Sequence, residues 1–289
     1  MNLSRLSWAV WAILPVLGLA YHFGPGQTSF QHDRAVGLYK AAQRLEQDAL
    51  ALQATAYDKH LEALSARRAA FVTPTPEAQA RASAATDEES RAFQAASAGW
   101  RLAAEAYGHI LDVAQGAASQ TLQELRWSRS RALVRAGDIW TGIGELETVL
   151  AELGSTGRAD STMARATREE LAAAYYYGAR LMRLSGEPVE EWMIESGKAR
   201  QHFRYLAEQA QAKGLGHEVV ESQQRNVELV LNLEQSTLLE VQGKPLPKDS
   251  PMCRNGNRPG RGNAGKRPQP PQQRDGRGAG GAEEVNTGW

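Results

Sequence analysis

The stretch "RAGDIWTGIGELETVL", Arg135 to Leu150, decides the fold. Apolar residues recur at helical spacing up to Ala136. Gly137 then supplies the left-handed residue that closes a helix, and Asp138 offers a carboxylate to cap another that starts at once. With no loop between them, the two helices must fold back on each other. Leu122, Leu125, Ala132, Leu133 and Ala136 form the apolar side of the first, a helix over about 119–136. Ile139, Trp140, Ile143, Leu146, Val149 and Leu150 form that of the second, which runs to Gly154. Both patterns have a period near 3.6.

Working outward, the same pattern fills the body. Leu38, Ala42, Leu45, Ala49, Leu52 and Ala56 are spaced 4, 3, 4, 3, 4, one stripe on a long helix and a seam of coiled-coil type. Pro74 and Pro76 break that helix. Thr86 with Glu89 three residues on reads as a capping box that opens the next. Phe93, Ala96, Trp100, Ala104, Tyr107, Leu111 and Ala114 continue it, and Gly116 closes it. "GSTGRADS" is a loop, and helices follow over about 162–185, 188–212 and 217–242. Tyr175, Tyr176 and Tyr177 stand in a row, so they cannot all face one way; at least one belongs to the core, and one or two to the surface. No Val/Ile/Thr cluster alternates as a strand would.

The corners resemble those of the tetratricopeptide repeat. "RAGDIW" matches the family's small-Gly-Asp turn, "AAEAYGHIL" (Ala103 to Leu111) its second helix, and "YGARLMRLSGEPVEEW" (Tyr177 to Trp192) another first helix and turn. Gly137 and Gly186 lie 49 residues apart, against about 34 in the family, and Gly142 and Glu191 stand where alanine is expected. The repeats are therefore degenerate, covering roughly residues 87–212. Over the whole chain, the single anchor, "GPGQ", Asp33-Arg34-Ala35, the hairpins and "PLPKDSP" resemble uncharacterised bacterial envelope proteins. Those accompany AAA-type ATPases and von Willebrand factor A-domain proteins.

The ends differ from the body. Leu6 to Phe23 is an 18-residue run without acid, lysine or arginine. As a helix it spans roughly 27 Å, close to a bilayer core. Trp8, Trp11 and Tyr21 suit the interfaces, and Arg5 before the run favours a cytoplasmic N-terminus with a periplasmic body. The alternative is a signal peptide cleaved after Ala20, which yields a soluble periplasmic protein. "GPGQ", Gly24 to Gln27, stops the anchor helix. The net charge of zero conceals an asymmetry: nine of 33 basic and four of 33 acidic residues lie from Lys244 to Trp289, leaving 24 and 29 before them. The tail is basic, rich in Gly, Pro, Gln and Arg, and unable to bury a core. The expected fold is all-α: an anchor (1–26), a long coiled-coil-like helix (27–76), a helical-hairpin domain (77–243) and a disordered basic tail (244–289).

The search for chemistry returns little. Cys253 is the single cysteine, which excludes an internal disulfide and a multi-cysteine zinc site. No two of the six histidines sit at i, i+3 or i, i+4, and "HEVVE" (His217 to Glu221) lacks the second histidine of a zinc-protease helix. "GRGNAGKR" (Gly260 to Arg267) fails as a phosphate loop, because Arg267 stands where Ser or Thr must hold magnesium and "PQPPQQ" follows where a helix must begin. No catalytic residue, metal site or cofactor is expected. The expected function is a membrane-tethered, non-catalytic scaffold for protein–protein interaction in the envelope. A self-associating coiled coil through the 38–56 stripe is the alternative, and an enzyme without a local motif the next. By the family's register, Trp127, Arg131, Arg135, Tyr175 and Arg183 line the partner groove. An acidic segment or a C-terminal carboxylate is the expected partner, since Arg offers forked donors to carboxylates. The tail is expected to touch anionic surfaces, with nucleic acid not expected.

Overall fold

The computed structural model describes residues 25–114 and 118–243. The expected anchor at 6–23, the Gly116 helix end and the tail beyond 243 lie outside the described residues. Within them the chain is all-helical: eight helices and no strand. They are α1 (Pro25–Val72), α2 (Pro76–Val113), α3 (Ser119–Ala136), α4 (Ile139–Ser155), α5 (Thr162–Leu184), α6 (Val189–Ala212), α7 (His217–Gln235) and α8 (Leu238–Gly243). Each of the first seven packs mainly on its neighbours in sequence, and α8 returns to α5. Among the described residues no helix is long and apolar enough to cross a membrane.

α1 has 48 residues, about 72 Å at 1.5 Å per residue. It begins at Pro25, so Pro25, Gly26 and Gln27, expected to stop a helix, lie in its first turn. Its stripe is filled from within the chain, by α2. Ala42, Ala49, Ala56 and Ala63 recur every seven residues and are all fully buried. Ala96, Ala103 and Ile110 face them, also at sevens and also buried. Trp100 pairs with Gln53, Tyr107 with Glu46 and Glu89 with His60. Numbers fall on one helix as they rise on the other, so the pair is antiparallel. A seam of methyl groups lets two backbones approach closely. A Cβ added at Gly99 would lie 3.1 Å from Leu52 and 3.4 Å from the Ala49 Cα. The 27–76 segment thus packs antiparallel along α2.

The α1–α2 corner corrects one expectation. α2 starts ten residues before Thr86: Thr75 caps it through an oxygen that accepts from the Ala78 N–H at 3.2 Å, with Pro76 in the first position. Thr86 sits inside the helix and donates to the Ala82 carbonyl. A capping box does form at Thr237–Glu240, where the Glu240 carboxylate accepts from the Thr237 N–H at 2.6 Å and the Thr237 hydroxyl accepts from the Glu240 N–H. It opens α8 and splits the helix expected over 217–242.

The helix end at Gly137 is as read. Its φ is +94°, its N–H donates to Val134 and that of Asp138 to Leu133, the paired bonds of a Schellman turn. The same bond pair recurs at Gly157, Gly186 and Gly214. Asp138 does not cap through a backbone N–H: its carboxylate accepts from the Thr141 hydroxyl at 2.8 Å. At Gly142, a Cβ would lie 2.5 Å from Val134 and 2.9 Å from the Ser130 carbonyl. Alanine is absent there because α3 and α4 cross too closely to admit it. Gly178 likewise lies under the Trp140 ring, 2.7 Å from an added Cβ.

All three tyrosines of α5 are buried, Tyr177 the least at 9% exposure. The expected surface tyrosine is absent because α5 is covered by α4, α6 and α8, and so has no solvent side along this turn.

Candidate functional site

The five residues expected to line a groove are placed by α3 and α5. The structure joins them to neighbouring helices. Arg131 donates to Glu46 on α1 and lies over the Trp127 ring, 4.5 Å from its centroid. The other Glu46 oxygen accepts from Tyr107 at 2.6 Å. Burial and the Glu46 carboxylate both push the Tyr107 phenol above its ordinary pKa. Arg135 forks onto both oxygens of Glu170 on α5, at 3.0 and 3.3 Å, beside Trp100. Arg183 donates to the carbonyls of Leu233 and Ser236, which end α7, and stacks 4.7 Å over Trp192. Helix ends expose such carbonyls, and a cation there satisfies them and the dipole together.

Arg131 and Arg135 lie on the same helix and one turn apart, with Trp127 one turn before. Arg183 works at the other end of α5 from Glu170. Each guanidinium therefore already has an oxygen acceptor inside the chain. Four more arginines behave alike: Arg126 and Arg129 bind Glu152 and Glu145 on α4, Arg180 binds the Val241 carbonyl of α8, and Arg200 binds Glu234 on α7. The arginine excess of α3 is a set of ties between helices.

Tyr175 enters a second grouping. It is 2% exposed, its hydroxyl donates to Glu147 on α4, and His202 of α6 stacks on its ring with centroids 5.9 Å apart and planes 7° from parallel. Lys198 lies 5.1 Å from the same ring. Burial, then the positive charges of Arg168 and Lys198, lower the His202 pKa to about 4, against an opposing pull from Glu147. At neutral pH this imidazole is uncharged.

A third grouping escaped the sequence reading. Glu89, taken there as a cap, is fully buried in the α1–α2 seam. Its oxygens accept from His60 Nδ1 at 2.6 Å and from Arg67 at 2.7 Å. Burial pushes its carboxyl up, but the bonds from His60 and Arg67 and the charge on Arg67 outweigh this and hold it below the ordinary range. The signal was present as Glu46, Gln53, His60 and Arg67 at sevens, a polar row beside the alanine row. Among the described residues no three of His, Cys, Asp or Glu are grouped to hold a metal ion. No family model, curated protein or solved structure matches the chain.

Proposed function

We propose that the protein is a non-catalytic interaction scaffold of the bacterial envelope, tethered through residues 6–23 with its body in the periplasm. The observation that carries this reading is the packing order. Each helix from α1 to α7 is satisfied mainly by its sequence neighbours, so the array leaves long faces and corners for another protein, as helical repeat arrays do. At the α1–α2 corner Phe71 and Val72 are 89% and 79% exposed, and on α8 Leu239 is 78% exposed. Large apolar groups left in water at a corner suit a partner contact. The carboxylate-bearing partner expected from sequence fits the arginine-rich body, through guanidinium groups other than those already tied.

A photo-crosslinking residue placed at Phe71 of the full chain, expressed in its native envelope, tests this. One discrete adduct with a different protein is expected. No adduct at Phe71 or at Leu239 refutes the scaffold reading. An adduct of twice the chain's mass replaces it with self-association.

A further inference from the structure

Two side chains on the α5–α6 seam are held in place and yet have no hydrogen-bond partner among the described residues. Arg168 lies over the Tyr205 ring, its Cζ 4.1 Å from the centroid. Every other arginine of the described residues that is not on the open surface donates to an oxygen. A guanidinium held over a ring by cation–π attraction still carries N–H donors for an acceptor. His202 is the second, fixed by its parallel stack on Tyr175. Both keep part of their surface in water. The groups that face His202 are Glu147 from α4, Arg168 and Tyr175 from α5, and Lys198 from its own helix. Glu147 is engaged by the Tyr175 hydroxyl, and Lys198 is held by Glu195 at 3.1 and 3.2 Å. Tyr205 accepts from Gln209, which also donates to Asp160. What the seam presents to an incoming group is therefore the Arg168 guanidinium and the His202 ring, in the field of Lys198.

We infer that Arg168 and His202 form a carboxylate-binding site, which takes an acidic side chain or the C-terminus of a peptide partner. The inference rests on the scaffold reading above and assigns its carboxylate contact to α5 and α6 instead of α3. A forked N–H edge matches the two oxygens of a carboxylate. A bound carboxylate also adds negative charge beside an imidazole that is neutral when the site is empty. It therefore favours the protonated ring, so binding draws a proton and strengthens as pH falls from about 7 to 5.

The experiment measures binding of N-acetylated tetraglutamate with a free C-terminus to the detergent-extracted full chain at low salt. Inorganic phosphate is the second probe. Arg168→Gln is expected to weaken peptide binding by roughly tenfold or more, since a charge-assisted fork is lost. Arg165→Gln, an exposed arginine one turn earlier, is expected to change it by less than about twofold. His202→Gln is expected to flatten the pH dependence. In ¹³C-histidine spectra the His202 signal of the parent is expected to move with peptide, a readout that needs no variant to fold. The inference is overturned if the peptide does not bind, or if Arg168→Gln binds like Arg165→Gln, which places the peptide on the basic tail. It is also overturned if phosphate binds at Arg168 and peptide does not. The Phe71 crosslink persisting in the Arg168→Gln chain would leave the scaffold reading standing while this site falls.

Discussion

Glu89 shows how one side chain can hold a seam. It is fully buried and accepts from two partners on α1, so removing it leaves Arg67 and His60 facing each other with no anion between them. Glu89→Ala is expected to lower unfolding free energy by about 3 kcal/mol or more, read from urea melts. Glu88→Ala, half exposed beside Lys59, is expected to leave the melt unchanged. Glu89 also stabilises only while ionised. With its folded pKa depressed, its contribution is complete above the ordinary carboxyl range and is lost as pH falls below that range through the depressed folded value. His202 acts in a higher window. Folded, it titrates near about 4, against roughly 6.5 unfolded. The unfolded chain binds the proton first, so stability is full above about pH 6.5 and declines as pH falls towards 4. Between pH 7 and 5 the loss should be about 1–2 kcal/mol, and His202→Phe should make urea midpoints flatter over that range. Neither residue was legible as a feature of the core. Thr86–Glu89 satisfies the pattern of a cap, and only the facing helix shows that Glu89 points into a seam. The five groove residues were legible as a cluster of arginine and aromatic side chains. The acceptors of Arg131, Arg135, Tyr175 and Arg183 come from α1, α5, α4 and α7, which no local pattern joins to them.

At the scale of the helix, glycine positions divide by what stands opposite. Gly142 faces Val134 and the Ser130 carbonyl, while Gly144, on the same helix, faces open space. Gly142→Ala is expected to destabilise by about 1–3 kcal/mol through overpacking. Gly144→Ala should stabilise by about 0.5–1 kcal/mol through helix propensity. Thermal melts of the two variants, moving in opposite directions, check the crossing of α3 on α4. Corners of this kind were readable because they are local: Gly-Asp at 137 and Gly-Glu at 186 carry their hydrogen bonds within a few residues. The start of α2 was misplaced because Thr75-Pro76 and Thr86–Glu89 are both valid openings, and the choice between them is made by packing. The break at Ser236 was missed for a related reason: Thr237–Glu240 is a sound capping box inside an otherwise continuous apolar pattern.

For the whole molecule, neighbour-by-neighbour packing predicts uneven stability. α5 is covered by α4, α6 and α8, whereas α1 has one extensive partner, α2. Native-state hydrogen exchange should show amides of residues 64–72 opening well before those of 171–182. Equal protection of the two segments would mean that the hairpin end is covered by something beyond the array. The all-helical body and its division into hairpins could be read from periodicity. The burial of all three tyrosines could not, since it depends on α8 coming back across α5.

Alanine at sevens on α1 meets Ala96 and Ala103, seven apart on α2, and that symmetry has a cost in definition. Slide one helix past the other by seven residues, about 10.5 Å, and methyl groups still meet methyl groups: Ala49 would find Ala96 instead of Ala103. At Ala49 the methyl rungs cannot tell these alignments apart. The polar rungs can. In the shifted alignment Gln53 would face Phe93 and lose the Trp100 N–H that it now accepts at 3.1 Å, and Glu46 would leave Tyr107 and Arg131 behind. The hairpin is thus a vernier, with one scale of methyl groups that permits many settings and one of hydrogen bonds that selects a single reading.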